Sequence, residues 1–201
     1  MTRPRLEYLT PGADLAGQDV RRVVLVACSN KKRAATLPAQ DLYVGRTFLA
    51  ARTWAETFAD AWFVLSALHF VVDPRRELEP YDYAWQHLDA ASRRTRTQAM
   101  ATSVVNLIAH LTDNDHGRRD GTYGAGLELV CLAGGHYASA VRLATDGEPG
   151  FKGAVHFPLA GLGIGQQYAW LRQLSGIELW RPAPPVHVQT GPVDQLSLLE
   201  A

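Results

Sequence analysis

Short apolar runs alternate with longer amphipathic stretches along this chain. Val23-Val24-Leu25-Val26-Ala27 is a continuous β-branched run, preceded by Arg21-Arg22 and closed by Cys28-Ser29-Asn30. An apolar run without polar alternation suits a strand buried on both faces. Trp62-Phe63-Val64-Leu65-Ser66-Ala67 repeats the pattern, breaks at His69 and reaches a turn at Asp73-Pro74. Leu127 to Ala133 reads as a third strand closed by Gly134-Gly135, and Ala154 to Leu159 as a weaker fourth. Between them, residues 41–59 place Leu42, Phe48, Leu49, Trp54 and Phe58 at helical spacing, with Asp41 where an N-cap belongs. Residues 82–113 are mostly helix-forming, and further helices are expected from His136 to Leu143 and from Gln166 to Leu174. The stretch from Asp113 to Gly126 is polar and glycine-rich, hence a loop.

Strand–helix alternation predicts an α/β fold: a mostly parallel, Rossmann-like sheet with helices on both faces. Its domain spans residues 21–180. A polar, turn-rich arm (1–20) precedes it, and a Pro-rich tail (181–201) follows. In such sheets ligands gather at the carboxyl ends of strands, near the switch in strand order. The polar clusters stand just after the strands, so a parallel sheet would put them all on one rim.

Composition narrows the class. The 201 residues suit one domain, and 47% apolar with 20% charged excludes a disordered chain. No apolar run approaches a membrane span, and Met1 to Glu7 lacks a signal-peptide core, so no membrane contact and a cytoplasmic location are expected. Twenty Lys and Arg balance twenty Asp and Glu, so bulk charge does not point to nucleic acid. Cys28 and Cys131 form neither a disulfide framework nor a CxxC pair, and HxxxH and HExxH are absent. Neither a metal nor a cofactor is expected.

Each cluster carries two readings. In Cys28-Ser29-Asn30-Lys31-Lys32-Arg33, a thiol beside strand-end amides and cations suits a thiolate or a phosphate site, or else a buried core Cys with solvated cations. Ser66-Ala67-Leu68-His69 with Glu79-Pro80-Tyr81-Asp82 offers a His and carboxylates for acid–base work or for stabilising an oxocarbenium-like sugar. Alternatively, Asp82 caps the following helix. Gly134-Gly135-His136-Tyr137 and the Gly161 to Gly165 loop, with Gly163 and Gly165, suit phosphate at a helix start or ordinary turns. Arg93, Arg94 and Arg96, and Arg118-Arg119 near His116, track a phosphate backbone or form solvated faces.

Val24 to Lys32, Asp41-Leu42-Tyr43 with Phe48, Leu65 to His69, Asp73-Pro74 and Glu79 to Asp82, with Ala133-Gly134, Tyr137 and the Gly161 to Gly165 loop, form an ordered set covering about residues 22–175. The set resembles a small bacterial and phage domain of unknown function. That domain is distantly similar to the YaaA peroxide-stress proteins and to the Cys-Ser module of archaeosine synthase. The resemblance implies nucleobase or nucleic-acid chemistry, since those relatives are associated with DNA protection, DNA binding and 7-deazaguanine modification. This chain carries Leu68 and Phe70 where the resembled Ser-Ala-Lys-His-Gly has Lys and Gly. Separately, Gln195-Leu196-Ser197-Leu198-Leu199 resembles the Gln-Leu-x-Leu-Phe pentapeptide that grips the replication sliding clamp, with Leu199 in place of Phe.

Two functions are therefore expected. One is an enzyme acting on a nucleobase of DNA or of a nucleotide, by N-glycosidic cleavage or by base modification. In it, Cys28, Ser66, His69, Glu79 and Asp82 supply the chemistry. Ser29, Asn30, Lys31, Lys32, Tyr43, Tyr81, Gly134, Gly135, Tyr137, Gly163 and Gly165 hold the nucleotide. The other is a non-catalytic DNA-binding stress or defence protein recruited through Gln195, Leu196, Leu198 and Leu199. A hydrolase of free nucleotides would use the same pocket.

Overall fold

The computed structural model of the chain describes residues 22–112, 123–146 and 150–174. Their elements are β1 (Arg22–Ala27), β2 (Leu37–Pro38), α1 (Ala39–Leu42), α2 (Arg46–Phe58), β3 (Ala61–Ser66), β4 (Phe70–Val72) and β5 (Glu77–Leu78). A 3-10 turn (Trp85–His87), α3 (Ala90–Leu111), β6 (Glu128–Leu132), α4 (Gly135–Thr145), β7 (Ala154–His156) and α5 (Ile164–Leu174) follow. The sheet runs β4-β3-β1-β6-β7. β3, β1, β6 and β7 are parallel, and β4 returns antiparallel on the edge of β3. This is the expected mixed α/β, mostly parallel architecture.

Side chains alternate between the two faces of β1. Val23 and Leu25 join Phe63, Leu65, Leu129 and Cys131 in a core covered by Val104 and Ile108 of α3 and Val141 of α4. Val24 and Val26 join Val64, Val130 and Leu132 beneath Phe48 and Trp54 of α2 and Leu171 of α5. Val23 to Val26 are fully buried, which is why no polar alternation marks this strand. β1 connects to β3 on one side, and the chain then crosses to β6 on the other. Covalent order therefore reverses between β1 and β6.

Several local expectations are corrected. The helix expected over 41–59 is two helices, because the chain extends through Tyr43 to Gly45, where Tyr43 bridges Lys32 and the Val44 N–H donates to the Lys31 carbonyl. Asp41 lies within α1 and pairs with Arg52 at 2.9 Å, so it caps nothing; Gly45 is the N-cap of α2. Nor does Asp82 cap a helix. The N-cap of α3 is Asp89, whose carboxylate accepts from the Ser92 N–H at 2.9 Å. β2, β4 and β5 are not expected from the apolar pattern. The last helix begins at Ile164, ahead of the expected Gln166. Arg96 is not simply a solvated cation: it donates to the Ala67 and Leu68 carbonyls, both at 2.9 Å, and lies over the rings of Phe70 and Tyr83. The arm, Arg118-Arg119 with His116, and the tail with Gln195, Leu196, Leu198 and Leu199 lie outside the described residues. No helix among the described residues is long and apolar enough to cross a membrane.

Candidate functional site

Where strand order reverses, the loops leaving β1 and β6 diverge and open a crevice. A cavity of about 430 Å³ occupies it. Ala27 and Leu132, from the ends of β1 and β6, form part of its lining. Cys28 to Lys31 line it, with Gly45 to Phe48 and Ala51 from α2, Gly134, Gly135 and Tyr137 from α4, and Ile164 and Gln167 from α5. Three helices thus present their first turns to one space.

The first N–H groups of a helix have no partner within it. At α2 and α4 the N-caps are Gly45 and Gly134, and neither has a side chain to accept from them. Helix N-termini carry partial positive charge. Lys31 and Arg46 add to it, and among the described residues neither has an ion-pair partner. The Arg46 guanidinium lies 4.7 Å over the Tyr168 ring, which steadies it. Phe48, Ala51, Leu132 and the exposed Ile164 give the lining an apolar part, beside the polar Asn30, Thr47 and Gln167. The cavity suits an anion joined to a flat or apolar group.

Cys28 Sγ lies 3.1 Å from Tyr137 Oη at this cavity. Burial pushes the Tyr137 phenol up, and a negative charge on Cys28 would push it further. The phenol therefore keeps its proton and can donate to sulfur. Ser29 Oγ donates to the Lys31 carbonyl (2.8 Å) and accepts from the Gly45 N–H (3.1 Å), stitching the β1 loop to the start of α2.

A chain of hydroxyls lies beside the cavity, outside its lining. Tyr81 Oη is 2.7 Å from both Ser66 Oγ and Tyr43 Oη. Lys32 Nζ sits 4.2 Å over the Tyr81 ring, and His69 packs edge-on against it at 5.1 Å. Burial pushes Tyr43 up to about 12 and raises Tyr81 as well. His69 is shifted down, first by burial and then by Arg76 and Arg96, which favours its neutral form.

Of the expected residues, the fold brings Cys28, Ser29, Asn30, Lys31, Gly134, Gly135 and Tyr137 into the cavity lining. Tyr43, Ser66, His69, Tyr81 and Lys32 gather in the adjoining cluster. Gly163 and Gly165 flank Ile164 without lining the cavity, and the Gly163 N–H donates to Gln166 Oε1 at 2.9 Å. Glu79 and Asp82 are exposed on either side of Pro80-Tyr81, outside the lining and with no hydrogen bond or ion pair among the described residues. Sequence reasoning missed Arg46, Phe48 and Ile164 as lining groups. The usable signal was Gly45, a glycine inside an otherwise helical pattern, which marks a new helix start. No group of three or more His, Cys, Asp or Glu that could hold a metal ion occurs among the described residues.

Phe70, next to His69, has φ 62°. A bulky residue in the left-handed region is strained. That geometry suits glycine.

A family model described as a family of unknown function, DUF6884, matches residues 23–173. No curated protein and no solved structure matches the chain.

Proposed function

The chain belongs to the DUF6884 family, and we propose that it is an enzyme that modifies the base of a nucleotide, free or within DNA, at the cavity between β1 and β6. One observation carries this reading. A thiol, Cys28, shares a cavity of about 430 Å³ with two helix starts lacking side-chain caps and with Lys31 and Arg46, two cations that have no ion-pair partner among the described residues. The volume lies in the ordinary range for small-molecule sites. Phosphate would take the free N–H groups of α2 and α4 and the two cations. The base would lie along Phe48 and Ile164. Cys28 is then the group available to displace a leaving group from an electrophilic ring or substituent carbon; water displaces the sulfur in turn, so the base returns with oxygen in place of the leaving group and the thiol is restored. The motif resemblance to the YaaA proteins and to the Cys-Ser module of archaeosine synthase supports a nucleotide over other anions. Glu79 and Asp82 stand outside the cavity on the surface, which favours base modification over N-glycosidic release.

The test is mass spectrometry of nucleoside monophosphates and of single- and double-stranded oligonucleotides incubated with the full chain. A changed base mass is expected, abolished by Cys28→Ala and retained by Glu79→Ala. Arg46→Ala should weaken binding about tenfold, the scale of one lost charge-assisted contact. Free base released in a Glu79-dependent way would instead establish glycosidic cleavage. Salt-sensitive DNA binding with no change in mass would establish the non-catalytic alternative.

A further inference from the structure

The hydroxyl chain beside the cavity has a direction, which follows from counting donors and lone pairs. Ser66 Oγ accepts from the Leu68 N–H at 3.2 Å and the His69 N–H at 3.0 Å. A serine hydroxyl offers two lone pairs and one proton. Both lone pairs are used, so Ser66 must donate to Tyr81 Oη at 2.7 Å. Tyr81 then spends its own proton on Tyr43 Oη, also at 2.7 Å. That leaves the Tyr43 proton unspent, on a side chain that is fully buried. A buried donor without an acceptor is costly. Cys28 packs against the core cluster that holds Tyr43, and a negative charge on its sulfur would raise Tyr43, Tyr81 and Tyr137 alike.

We propose that Tyr137 and Tyr43 are positioning residues for Cys28: both phenols direct their protons toward its sulfur and hold it as a thiolate, with Ser66 and Tyr81 fixing the direction of the Tyr43 proton. Tyr137 is the direct partner, at 3.1 Å. The proposal rests on Cys28 being the reactive group of the cavity. The other charged or titratable groups around it are Lys31 and Arg46 in the lining, and Lys32 and His69 against Tyr81. None is altered in the test.

The test is the rate of iodoacetamide alkylation of Cys28 against pH in the full chain without nucleotide, with peptide mass mapping to assign the label. The thiolate displaces iodide, so the rate follows the thiolate fraction. Cys131 is an internal control, since burial pushes its thiol up to about 12. Tyr137→Phe keeps the ring and removes the donor. It should move the Cys28 midpoint up by about one pH unit, which is tenfold less thiolate below the midpoint. Tyr43→Phe should move it up by a smaller step and serves alone if Tyr137→Phe does not fold. An unchanged or lowered midpoint in the folded variant overturns the proposal. Because no nucleotide is present, a shifted midpoint in a chain that leaves every base unchanged would fault the base-modifying reading and leave this one standing.

Discussion

Phe70 shows how a single residue can set local conformation against packing. Its φ of 62° lies where any Cβ is strained, yet its ring is held beneath the Arg96 guanidinium at 4.9 Å. Arg96 in turn holds the Ala67 and Leu68 carbonyls, so the ring helps fasten the turn that carries His69. Two substitutions separate these contributions. Phe70→Ala keeps the strain and loses the ring, and should destabilise by about 2–3 kcal/mol. Phe70→Gly also loses the ring but releases the strain, and should be about 1 kcal/mol more stable than the alanine variant. Urea unfolding of the pair checks the order. Alanine equal to or above glycine would mean that the left-handed backbone costs nothing here.

At the scale of elements, the position of Gly45 decides how the β1 loop meets α2. A Cβ at Gly45 would lie 2.6 Å from Ser29 Cβ and 2.9 Å from Ser29 Oγ, the atom that ties the two segments together. Gly45→Ala should therefore cost about 1–3 kcal/mol and weaken anion binding together with stability. Gly165→Ala is the contrasting case. It lies in α5, where an added Cβ meets nothing within 4 Å, and it should raise stability by a few tenths of a kcal/mol. Thermal unfolding of both variants, with nucleotide titration of the first, reads the difference. The same segment shows what was legible in the sequence. The buried strands announced themselves because β1, β3 and β6 are apolar at nearly every position. The break at Tyr43 to Gly45 is less plain, because the periodicity of 41–59 continues across it and partners distant in sequence, Lys31, Lys32 and Ser29, hold the chain extended there. β4 was hidden for a related reason: three residues after a turn become a strand only through pairing with β3. Cys28, Lys31 and Gly134 could be read as site candidates from strand-end position alone. Arg46 was legible only through Gly45 as a helix start, and Ile164 not at all, since it enters through the packing of α5 around the crevice.

Across the whole molecule, the parallel sheet separates paired from unpaired charge. Toward its amino end, Arg22 of β1 pairs with Glu128 of β6 at 2.6 Å, its backbone N–H donates to Asp60, and His156 of β7 lies 3.4 Å from Glu128. At the carboxyl end, Lys31 and Arg46 beside the cavity have no ion-pair partner among the described residues. Stability against pH should therefore be tuned at the end away from the site. Burial lowers His156 below its ordinary 6.5, Glu128 opposes that shift, and Arg22 reinforces it. A group with a lowered folded pKa binds its proton less readily folded than unfolded. The unfolded state then takes up more protons as pH falls below 6.5, and stability drops through that window until the folded His156 protonates as well. His69 has the same sign. Asp73, raised by burial, has the opposite sign in a window beginning near the ordinary carboxylate value of 3.8, so it cannot produce a loss on acidification. The urea midpoint should thus fall between pH 7.5 and pH 5.5, and His156→Gln should flatten that fall while leaving nucleotide binding at pH 7.5 unchanged. An undiminished pH slope in His156→Gln would move the effect to His69, and weakened binding in that variant would show that the two ends of the sheet are coupled.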